Sequence, residues 1–230
     1  MKAAIFAAGE GKGLQPLTFE RPKPLIPILG KTLIQYIWES LPDEVDEVIL
    51  VVGYKKKMIR SFLGDKFQGK KVTYVEQGQA TGTADALMLC KPYLKNEEKF
   101  LLMFADELYS KASIACCLKH RAALLIAEIE DPRRFGVVIV NKEGIIQSIE
   151  EKPKHPKSKL AVTGVYVLSS EIFDYDTDPT EDRVRYFTRM IDEYMKEHVI
   201  YGVETDFWLP IEYPADIKRA EKILGKKKKL

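Results

Sequence analysis

The sequence predicts an α/β fold in which a mainly parallel central sheet is flanked by helices. Short continuous apolar runs of the first half, such as Val48–Val52 and Phe100–Phe104, alternate with stretches of helical periodicity. Such runs are typical of parallel strands buried on both faces. The second half is richer in strand-like runs and has a hairpin signal at Asn141–Gly144. It therefore predicts a smaller, partly antiparallel sheet.

The predicted elements follow one another in chain order. In the first half, strands at 5–7, 48–52, 72–75 and 100–104 are separated by helices at 33–40, 56–63 and 83–89. In the second half, strands are predicted at 124–129, 137–140, 145–149, 162–168 and 199–203. Asp178-Pro179-Thr180-Glu181 has the cap, proline and glutamate order that begins a helix, with Val184, Phe187, Ile191 and Tyr194 on its apolar face. A last helix begins at Pro214.

Composition excludes several classes of protein. The 36 basic and 34 acidic side chains give a net charge of +2, which argues against a nucleic-acid partner, and the basic tail is typical of a solvated chain end. No apolar stretch approaches the roughly 20 residues that span a membrane, and no signal peptide precedes the first strand. Three cysteines without metal-ligand spacing argue against a disulfide framework or a zinc site. The prediction is a cytoplasmic protein without a membrane partner.

The chain predicts a single domain spanning residues 1–230, because no repeat, low-complexity segment or Gly/Ser linker interrupts it. Within that domain, residues of about 1–110 form one half and residues of about 111–225 the other. The sequence leaves the oligomeric state open, with a homo-oligomer among the alternatives.

The first apolar run leads into a glycine-rich loop, AAGEGKGLQPLTFERPKPLIP, residues Ala7–Pro27. Gly9, Gly11 and Gly13 resemble a dinucleotide fingerprint, but that motif requires a helix to begin at the loop. The prolines of the loop prevent a continuous helix, because each removes an amide donor and clashes with the preceding turn. A dinucleotide site is therefore excluded.

A P-loop is excluded as well, since Gly13 follows Gly11-Lys12 where Ser or Thr would bind magnesium. Two alternatives remain: a loop whose inward-facing amides cradle phosphates, or a plain structural turn. The following Pro-Lys-Pro-Leu segment predicts a stiff extended chain that fixes the direction of Lys23.

Several longer segments together resemble one family, the sugar-1-phosphate nucleotidylyltransferases, also known as nucleotide-sugar pyrophosphorylases. The opening AAGEGKGLQPLTFERPKPLIPILGKTLI is similar to the N-terminal signature of the family. EQGQATGTADAL resembles its nucleotide-base segment, and LLMFADELY resembles the strand that ends in a metal-binding Asp. FGVVIVNKEGIIQSIEEKP and AVTGVYVL resemble its sugar-binding half, so the similarity spans nearly the whole chain.

The resemblance implies a three-layer, Rossmann-like nucleotidyltransferase fold with a nucleotide-binding half and a sugar-phosphate-binding half. It implies an enzyme that joins a nucleoside triphosphate to a sugar 1-phosphate, forming a nucleotide sugar and pyrophosphate. Such catalysis consists mainly of positioning and charge neutralisation by cations and Mg²⁺. The implied partners are the nucleoside triphosphate and the sugar 1-phosphate.

The resemblance also implies site residues. The nucleotide would be contacted by Ala8, Gly9, Gly11, Gln77, Gly82 and Thr83, with Lys23 on a phosphate. The sugar phosphate would be contacted by Gly136, Glu151, Lys152 and Gly164. Without the resemblance, Glu150-Glu151-Lys152 is typical of a solvated charged turn.

Asp106 is expected to bind Mg²⁺. It follows a buried strand and thus lies at the carboxyl edge of the sheet, where open α/β folds bind ligands. A carboxylate oxygen there suits Mg²⁺, although a helix cap is the alternative role.

The chain departs from the family pattern at two positions. The family usually has Thr-Arg after the last loop glycine, with the Arg on the triphosphate, whereas this chain has Lys12-Gly13. Lys12 is therefore a candidate catalytic residue, although a lysine is a point charge and not a planar fork.

Pro210 occupies the position of the second metal-binding Asp in DFWLPIEYPADIKRA. Asp206 is the candidate replacement because strand alternation places it on the same face, about 13 Å away along an extended chain. Glu107 and Glu212 are further candidates, and an exposed strand-end role is the alternative for Asp206.

The departures suggest a second hypothesis, a catalytically weakened homologue that binds nucleotide sugar in a regulatory or partner role, whereas the intact Lys23, Asp106 and Glu151-Lys152 favour the enzyme. If that hypothesis holds, restoring the family residues as Gly13→Arg and Pro210→Asp is expected to raise the rate.

Overall fold

The computed structural model describes residues 1–78, 81–176, 178–179 and 184–227, and it confirms the predicted α/β class. The strands are β1 Lys2–Ala7, β2 Pro27–Ile28, β3 Lys31–Thr32, β4 Glu47–Val52, β5 Lys66–Phe67, β6 Lys70–Glu76, β7 Phe100–Phe104, β8 Glu107–Tyr109, β9 Ala123–Glu128, β10 Gly136–Val140, β11 Ile146–Glu151, β12 Leu160–Leu168, β13 Tyr201–Glu204 and β14 Trp208–Pro210. The helices are α1 Leu17–Glu20, α2 Leu33–Ser40, α3 Lys56–Leu63, α4 Thr83–Leu94, α5 Lys111–Cys117, α6 Phe187–Tyr194 and α7 Pro214–Lys227.

A ten-stranded sheet forms the centre of the described part of the chain, in the order β11-β10-β12-β7-β1-β4-β6-β5, with β9 paired to β12 and β13 paired to β9. The pairs β1–β7, β1–β4 and β4–β6 are parallel, whereas β12 is antiparallel to its neighbours β7, β9 and β10. The antiparallel strands of the second half thus join the main sheet. Two small antiparallel sheets, β8–β14 and β2–β3, lie beside it.

Apolar cores cover both faces of the sheet, which gives three layers. One core includes Ile5 and Leu50 with side chains of α2, α3 and α5, and the other includes Ala4 and Ile49 with side chains of α4 and α6. Adjacent residues of β1 and β4 therefore point into different cores. This two-sided burial explains why these strands are continuous apolar runs.

Local sequence explains the start of α2 and the buried face of α4. Thr32 and Gln35 form a capping box at the start of α2, in which Gln35 Oε1 accepts a hydrogen bond of 2.8 Å from the amide of Thr32. Helix α4 buries Ala84, Leu87 and Cys90 at helical spacing. No helix within the described ranges is long and apolar enough to cross a membrane.

Two local expectations were wrong. The helix predicted from Pro179 is observed from Phe187. Val184–Tyr186 are not helical because the backbone of Arg185 is hydrogen-bonded to Thr81 and Ala84 instead. Residues 180–183 of the predicted helix lie outside the described part. The Pro-Lys-Pro-Leu segment is not fully extended, because Lys23–Leu25 form a 3₁₀ turn in which the amide of Ile26 donates to the carbonyl of Lys23.

Candidate active site

Two cavities meet at the carboxyl end of β7. The larger, of about 380 Å³, lies over the opening loop and the start of α4, and the smaller, of about 200 Å³, lies over β10, β11 and β12. Thr83, Phe104, Asp106 and Tyr186 line both cavities. A ligand in one cavity can therefore reach a ligand in the other beside Asp106.

Lys23 and Asp106 form an ion pair at this junction, with 3.0 Å between Nζ and Oδ2. Lys23 is only 9% exposed, held in its 3₁₀ turn between Pro22 and Pro24. The other carboxylate oxygen of Asp106, Oδ1, is buried and accepts no hydrogen bond from the described residues. A buried oxygen without a partner is costly unless a ligand or cation completes it.

Residues 81–85 at the start of α4 belong to the part of the chain that resembles the family's nucleotide-base segment, and they are called the base segment below. Contacts within the protein fix this segment. The side-chain amide of Gln77 donates a hydrogen bond of 3.1 Å to the carbonyl of Gly82. Gly82 has a φ of +132°, and a Cβ atom there would lie 2.2 Å from the carbonyl oxygen of Arg185. Only glycine can occupy this position without displacing the neighbouring chain.

The segment Val184–Tyr186, called the strap below, crosses the base segment. The amide of Ala84 donates to the carbonyl of Arg185 at 3.0 Å, and the amide of Arg185 donates to the carbonyl of Thr81 at 2.9 Å. The guanidinium of Arg185 lies 2.6 Å from the carboxylate of Asp85. Val184 and Tyr186 line the larger cavity, so the strap forms one of its walls.

The smaller cavity contains an acid and a base at the end of β11, Glu151 and the following Lys152. Glu151 Oε2 accepts a hydrogen bond of 2.8 Å from the hydroxyl of Thr188, which fixes the carboxylate against α6. The ammonium of Lys152 lies 3.6 Å from Glu151 Oε1 and 5.5 Å from the ring centre of Tyr186. Lys152 thus lines the smaller cavity beside Tyr186, where it can bind an anion.

Glu107 is buried under the junction and is hydrogen-bonded to residues of β12 and β14. Its Oε2 accepts hydrogen bonds from the amide of Gly164 at 2.9 Å and from the indole of Trp208. Burial, together with the neighbouring charge of Asp106, raises the pKa of the Glu107 carboxyl above its usual value. Gly164 is required by close packing, since a Cβ there would lie 2.5 Å from the hydroxyl of Tyr109.

The structure brings most of the candidate residues together. Those expected to contact nucleotide and phosphate line the larger cavity: Ala8, Gly9, Gly11, Lys23, Gln77, Gly82, Thr83 and Asp106. Those expected to contact the sugar phosphate line the smaller one: Gly136, Glu151, Lys152 and Gly164.

Lys12 and Asp206 lie apart from both cavities. The Lys12 side chain is 77% exposed and lies 3.4 Å from Glu10. Asp206 precedes β14 and accepts a hydrogen bond of 2.9 Å from Ser113 of α5, whereas Pro210 pairs with Glu107 at the other end of β14. The strand alternation expected between Asp206 and Pro210 does not apply, because β14 begins at Trp208.

The opening loop packs against the segment that follows β14. A Cβ atom at Gly13 would lie 2.4 Å from the carbonyl oxygen of Glu212 and 3.3 Å from the ring of Tyr213. The position where the family has an arginine is therefore closed to any larger side chain unless the backbone moves.

Comparisons with known proteins agree on one family. Residues 2–222 match the family model described as Nucleotidyl transferase. The chain belongs to this family. The bifunctional protein GlmU of Methanocaldococcus jannaschii, a relative of this nucleotidyl transferase domain, is 36% identical over 227 residues, covering 97% of this chain and 54% of GlmU. The UTP–glucose-1-phosphate uridylyltransferase AglF of Haloferax volcanii is 31% identical, covering 97% of this chain and 96% of AglF. The chain thus spans about half the length of GlmU and nearly all of AglF.

Solved structures show the nucleotidyl transferase fold as well. A crystal structure of a Bacillus anthracis protein assigned as a glucose-1-phosphate thymidylyltransferase has a TM-score of 0.86 and 29% identity, covering 97% of this chain and 94% of that one. A UDP-glucose pyrophosphorylase complexed with UDP-glucose has a TM-score of 0.82 at 24% identity and supports the fold alone, covering 98% of each chain. The family resemblance read from the sequence is confirmed.

Sequence reasoning about this nucleotidyl transferase missed Arg134, Val184 and Tyr186, which line the cavities. Arg134 stands two residues before Gly136, a position that the resemblance did single out, so its place in the sequence was an available signal. Within the described ranges, no group of three or more His, Cys, Asp or Glu residues is arranged to hold a metal ion. Any cation at the junction would have to take ligands from substrate and water besides Asp106.

Proposed function

We propose that this nucleotidyl transferase moves a nucleotidyl group from a nucleoside triphosphate to a sugar 1-phosphate. The observation that carries the proposal is the Lys23–Asp106 pair at the junction of two cavities. The larger cavity holds the nucleotide and the smaller one holds the sugar phosphate, within a single domain built from both halves of the chain.

In the proposed reaction, an oxygen of the sugar 1-phosphate attacks the α-phosphorus of the nucleoside triphosphate. The bond between that phosphorus and the oxygen bridging to the β-phosphate breaks, and pyrophosphate leaves with the electron pair. A phosphate nucleophile is already anionic, so no general base is required. The protein therefore contributes position and positive charge, which are the main terms in phosphoryl-group chemistry.

Each cavity supplies residues for this task. Lys23 offsets charge on the triphosphate, with an ammonium whose direction the 3₁₀ turn fixes. Lys152 binds the sugar phosphate, and Glu151, oriented by Thr188, accepts hydrogen bonds from sugar hydroxyls. Tyr186, which lines both cavities, excludes water between the two substrates.

The residues at the junction fit a divalent cation such as Mg²⁺. Asp106 Oδ1 is a buried carboxylate oxygen to which no described group donates, and hard oxygen ligands are those that Mg²⁺ prefers. When bound there, the cation would neutralise charge on the phosphates. Glu107 is committed to Gly164 and Trp208 through Oε2, so Asp106 would be the principal protein ligand of such a cation.

The names of the relatives guide the choice of substrates. AglF is named for UTP and glucose 1-phosphate, and the Bacillus anthracis protein for glucose 1-phosphate and a thymidylyl group. These names support activity and give no support to a purely regulatory binder. A uridine or thymidine triphosphate with a hexose 1-phosphate is therefore the first pair to test.

The test measures pyrophosphate release from each common nucleoside triphosphate with a panel of sugar 1-phosphates and Mg²⁺. Turnover with at least one pair is expected, and it should fall in Asp106→Asn but persist in Asp43→Asn, an exposed aspartate paired with Lys111. No pyrophosphate from any pair, with nucleotide-sugar binding retained, would refute the proposal and restore the binding hypothesis.

A further inference from the structure

Each cation that lines the two cavities in the described part of the chain lies near a carboxylate. Lys23 pairs with Asp106 and Lys152 lies near Glu151, as described above. The third is Arg134, whose guanidinium Nη2 forms an ion pair with Glu212 Oε2. Both partners of this third pair line the smaller cavity beside Asp106.

Aromatic rings support the guanidinium of Arg134. It lies 5.1 Å from the ring centre of Tyr213 and 5.7 Å from that of Phe135. Stacking of this kind holds an arginine while leaving the edge of its planar fork available for hydrogen bonds. A planar fork matches two oxygens of a phosphate, which a lysine cannot do.

The segment that carries Glu212 and Tyr213 is itself fixed. The amide of Ile211 donates a hydrogen bond of 3.0 Å to the carbonyl of Asp106. Asp216, in the first turn of α7, accepts from the amides of Glu212 at 2.9 Å and Tyr213 at 2.8 Å. The groups that hold Arg134 are therefore tied to the backbone of Asp106.

The same segment closes the opening loop at Gly13, where a Cβ atom would meet the carbonyl of Glu212. Position 13 therefore supplies no cation to either cavity, and the side chain of Lys12 points to solvent. Of the described residues lining the smaller cavity, only Arg134 and Lys152 carry positive charge. A phosphate entering there needs both, because acidic side chains also line this cavity.

We propose that Arg134 is a catalytic residue that binds the phosphate of the sugar 1-phosphate and that Glu212 holds its guanidinium in place until that phosphate arrives. This inference rests on the proposed function for the identity of the substrate. Bound phosphate replaces Glu212 as the partner of the guanidinium, and the positive charge then faces the attacking oxygen and the developing charge of the transition state.

The experiment compares Arg134→Ala and Arg134→Lys with Arg133→Ala. Arg133 is a matched control because it pairs with Asp131 on the surface and lines neither cavity. In Arg134→Ala, kcat/KM for the sugar 1-phosphate should fall about 100-fold, whereas KM for the nucleoside triphosphate should change by less than about threefold. Arg134→Lys should recover part of the loss, and Arg133→Ala should stay within about twofold of the unaltered protein.

A second measurement does not depend on turnover. Calorimetric titration with inorganic phosphate at constant ionic strength should give weaker binding to Arg134→Ala than to Arg133→Ala, and tighter binding to Glu212→Gln, in which the competing charge is removed. If the unaltered protein releases no pyrophosphate with any substrate pair, the proposed function fails, but this titration still decides the role of Arg134.

Two results would overturn the inference. One is equal phosphate binding and equal kcat/KM in the Arg134→Ala and Arg133→Ala variants. The other is a kinetic defect confined to KM for the nucleoside triphosphate, which would show that Arg134 contacts that substrate and not the sugar 1-phosphate. Should Arg134→Ala not fold, judged by its circular dichroism spectrum, Arg134→Lys gives the same comparison with the charge retained.

Discussion

The ammonium of Lys23 lies 3.0 Å from the carboxylate of Asp106 at the point where the two cavities meet. Because each charge stabilises the other in the absence of ligand, the pair is preorganised for a substrate that brings both negative charge and a cation. Lys23→Ala is expected to lower kcat/KM for pyrophosphate release by about 100-fold or more, since removal of one preorganised charge has such an effect.

Lys31→Ala is the control for that measurement, because Lys31 pairs with Glu39 at the surface. It should retain the activity of the unaltered protein. Equal rates for the two lysine variants would contradict a role for Lys23 at the phosphates.

Gly13 has no space for a side chain, since a Cβ atom would lie 2.4 Å from the backbone of Glu212. Gly13→Ala is expected to lower the free energy of unfolding by about 1–3 kcal/mol, the usual effect of overpacking. Gly13→Arg, which the family pattern suggests as a gain of function, should lower the rate as well, because the loop and the Glu212 segment must separate. Urea unfolding and pyrophosphate release measure the two effects.

Gly9→Ala is the matched control, because no atom of the described residues lies within 4 Å of a Cβ at Gly9 and its φ is not in the left-handed region. Its midpoint of urea unfolding should stay close to that of the unaltered protein. A Gly13→Arg variant that is both stable and faster would show that this loop rearranges easily.

The Arg185–Asp85 pair holds the strap against the base segment, with 2.6 Å between Nη1 and Oδ1. Arg185→Ala is expected to raise KM for the nucleoside triphosphate about tenfold, the equivalent of about 1.4 kcal/mol, with a smaller effect on kcat. The reason is that the strap supplies a wall of the larger cavity, which the proposed function assigns to the nucleotide, and accepts a hydrogen bond from the amide of Ala84.

Steady-state kinetics with varied nucleotide tests this expectation, with Arg189→Ala as the control. Arg189 lies on the exposed side of α6. If Arg185→Ala changed kcat alone and left KM for the nucleotide unchanged, the strap would not act through nucleotide binding.

The three cysteines differ in their environments. Cys90 and Cys117 are buried, and burial raises the pKa of each thiol to about 12, whereas Cys116 is partly exposed. Because the thiolate is the reactive form, Ellman's reagent at pH 8 should modify Cys116 first and the other two only on unfolding. Cys116→Ser should remove the fast reaction. Fast modification of the remaining thiols in that variant would contradict the burial.

Part of the site could be predicted from the sequence because its determinants are local. The apolar run Phe100–Phe104 fixes a buried strand, and the strand fixes the edge at which Asp106 emerges. The glycines of the opening loop and the prolines around Lys23 likewise determine the local conformation of the backbone. Strand position therefore predicted the place of Asp106, whereas the other residues of the larger cavity were implied by the resemblance of these segments to the family.

The rest depends on contacts between distant segments. Val184 fits the helical spacing of Phe187 and Ile191, yet the strap is non-helical because its backbone pairs with the start of α4. Arg133 and Arg134 are adjacent and look alike in sequence, but only Arg134 has Glu212 and Tyr213 beside it. The closed space at Gly13 is likewise visible only once residues 212 and 213 are placed.

The hydrogen-bonded ladder between β7 and β12 joins the first half of the chain to the second within one sheet. Rotation of one half against the other would break this ladder, so we expect the two cavities to keep a constant separation. If the proposed function holds, the distance between the reacting phosphates is set when the chain folds and not when the ligands bind.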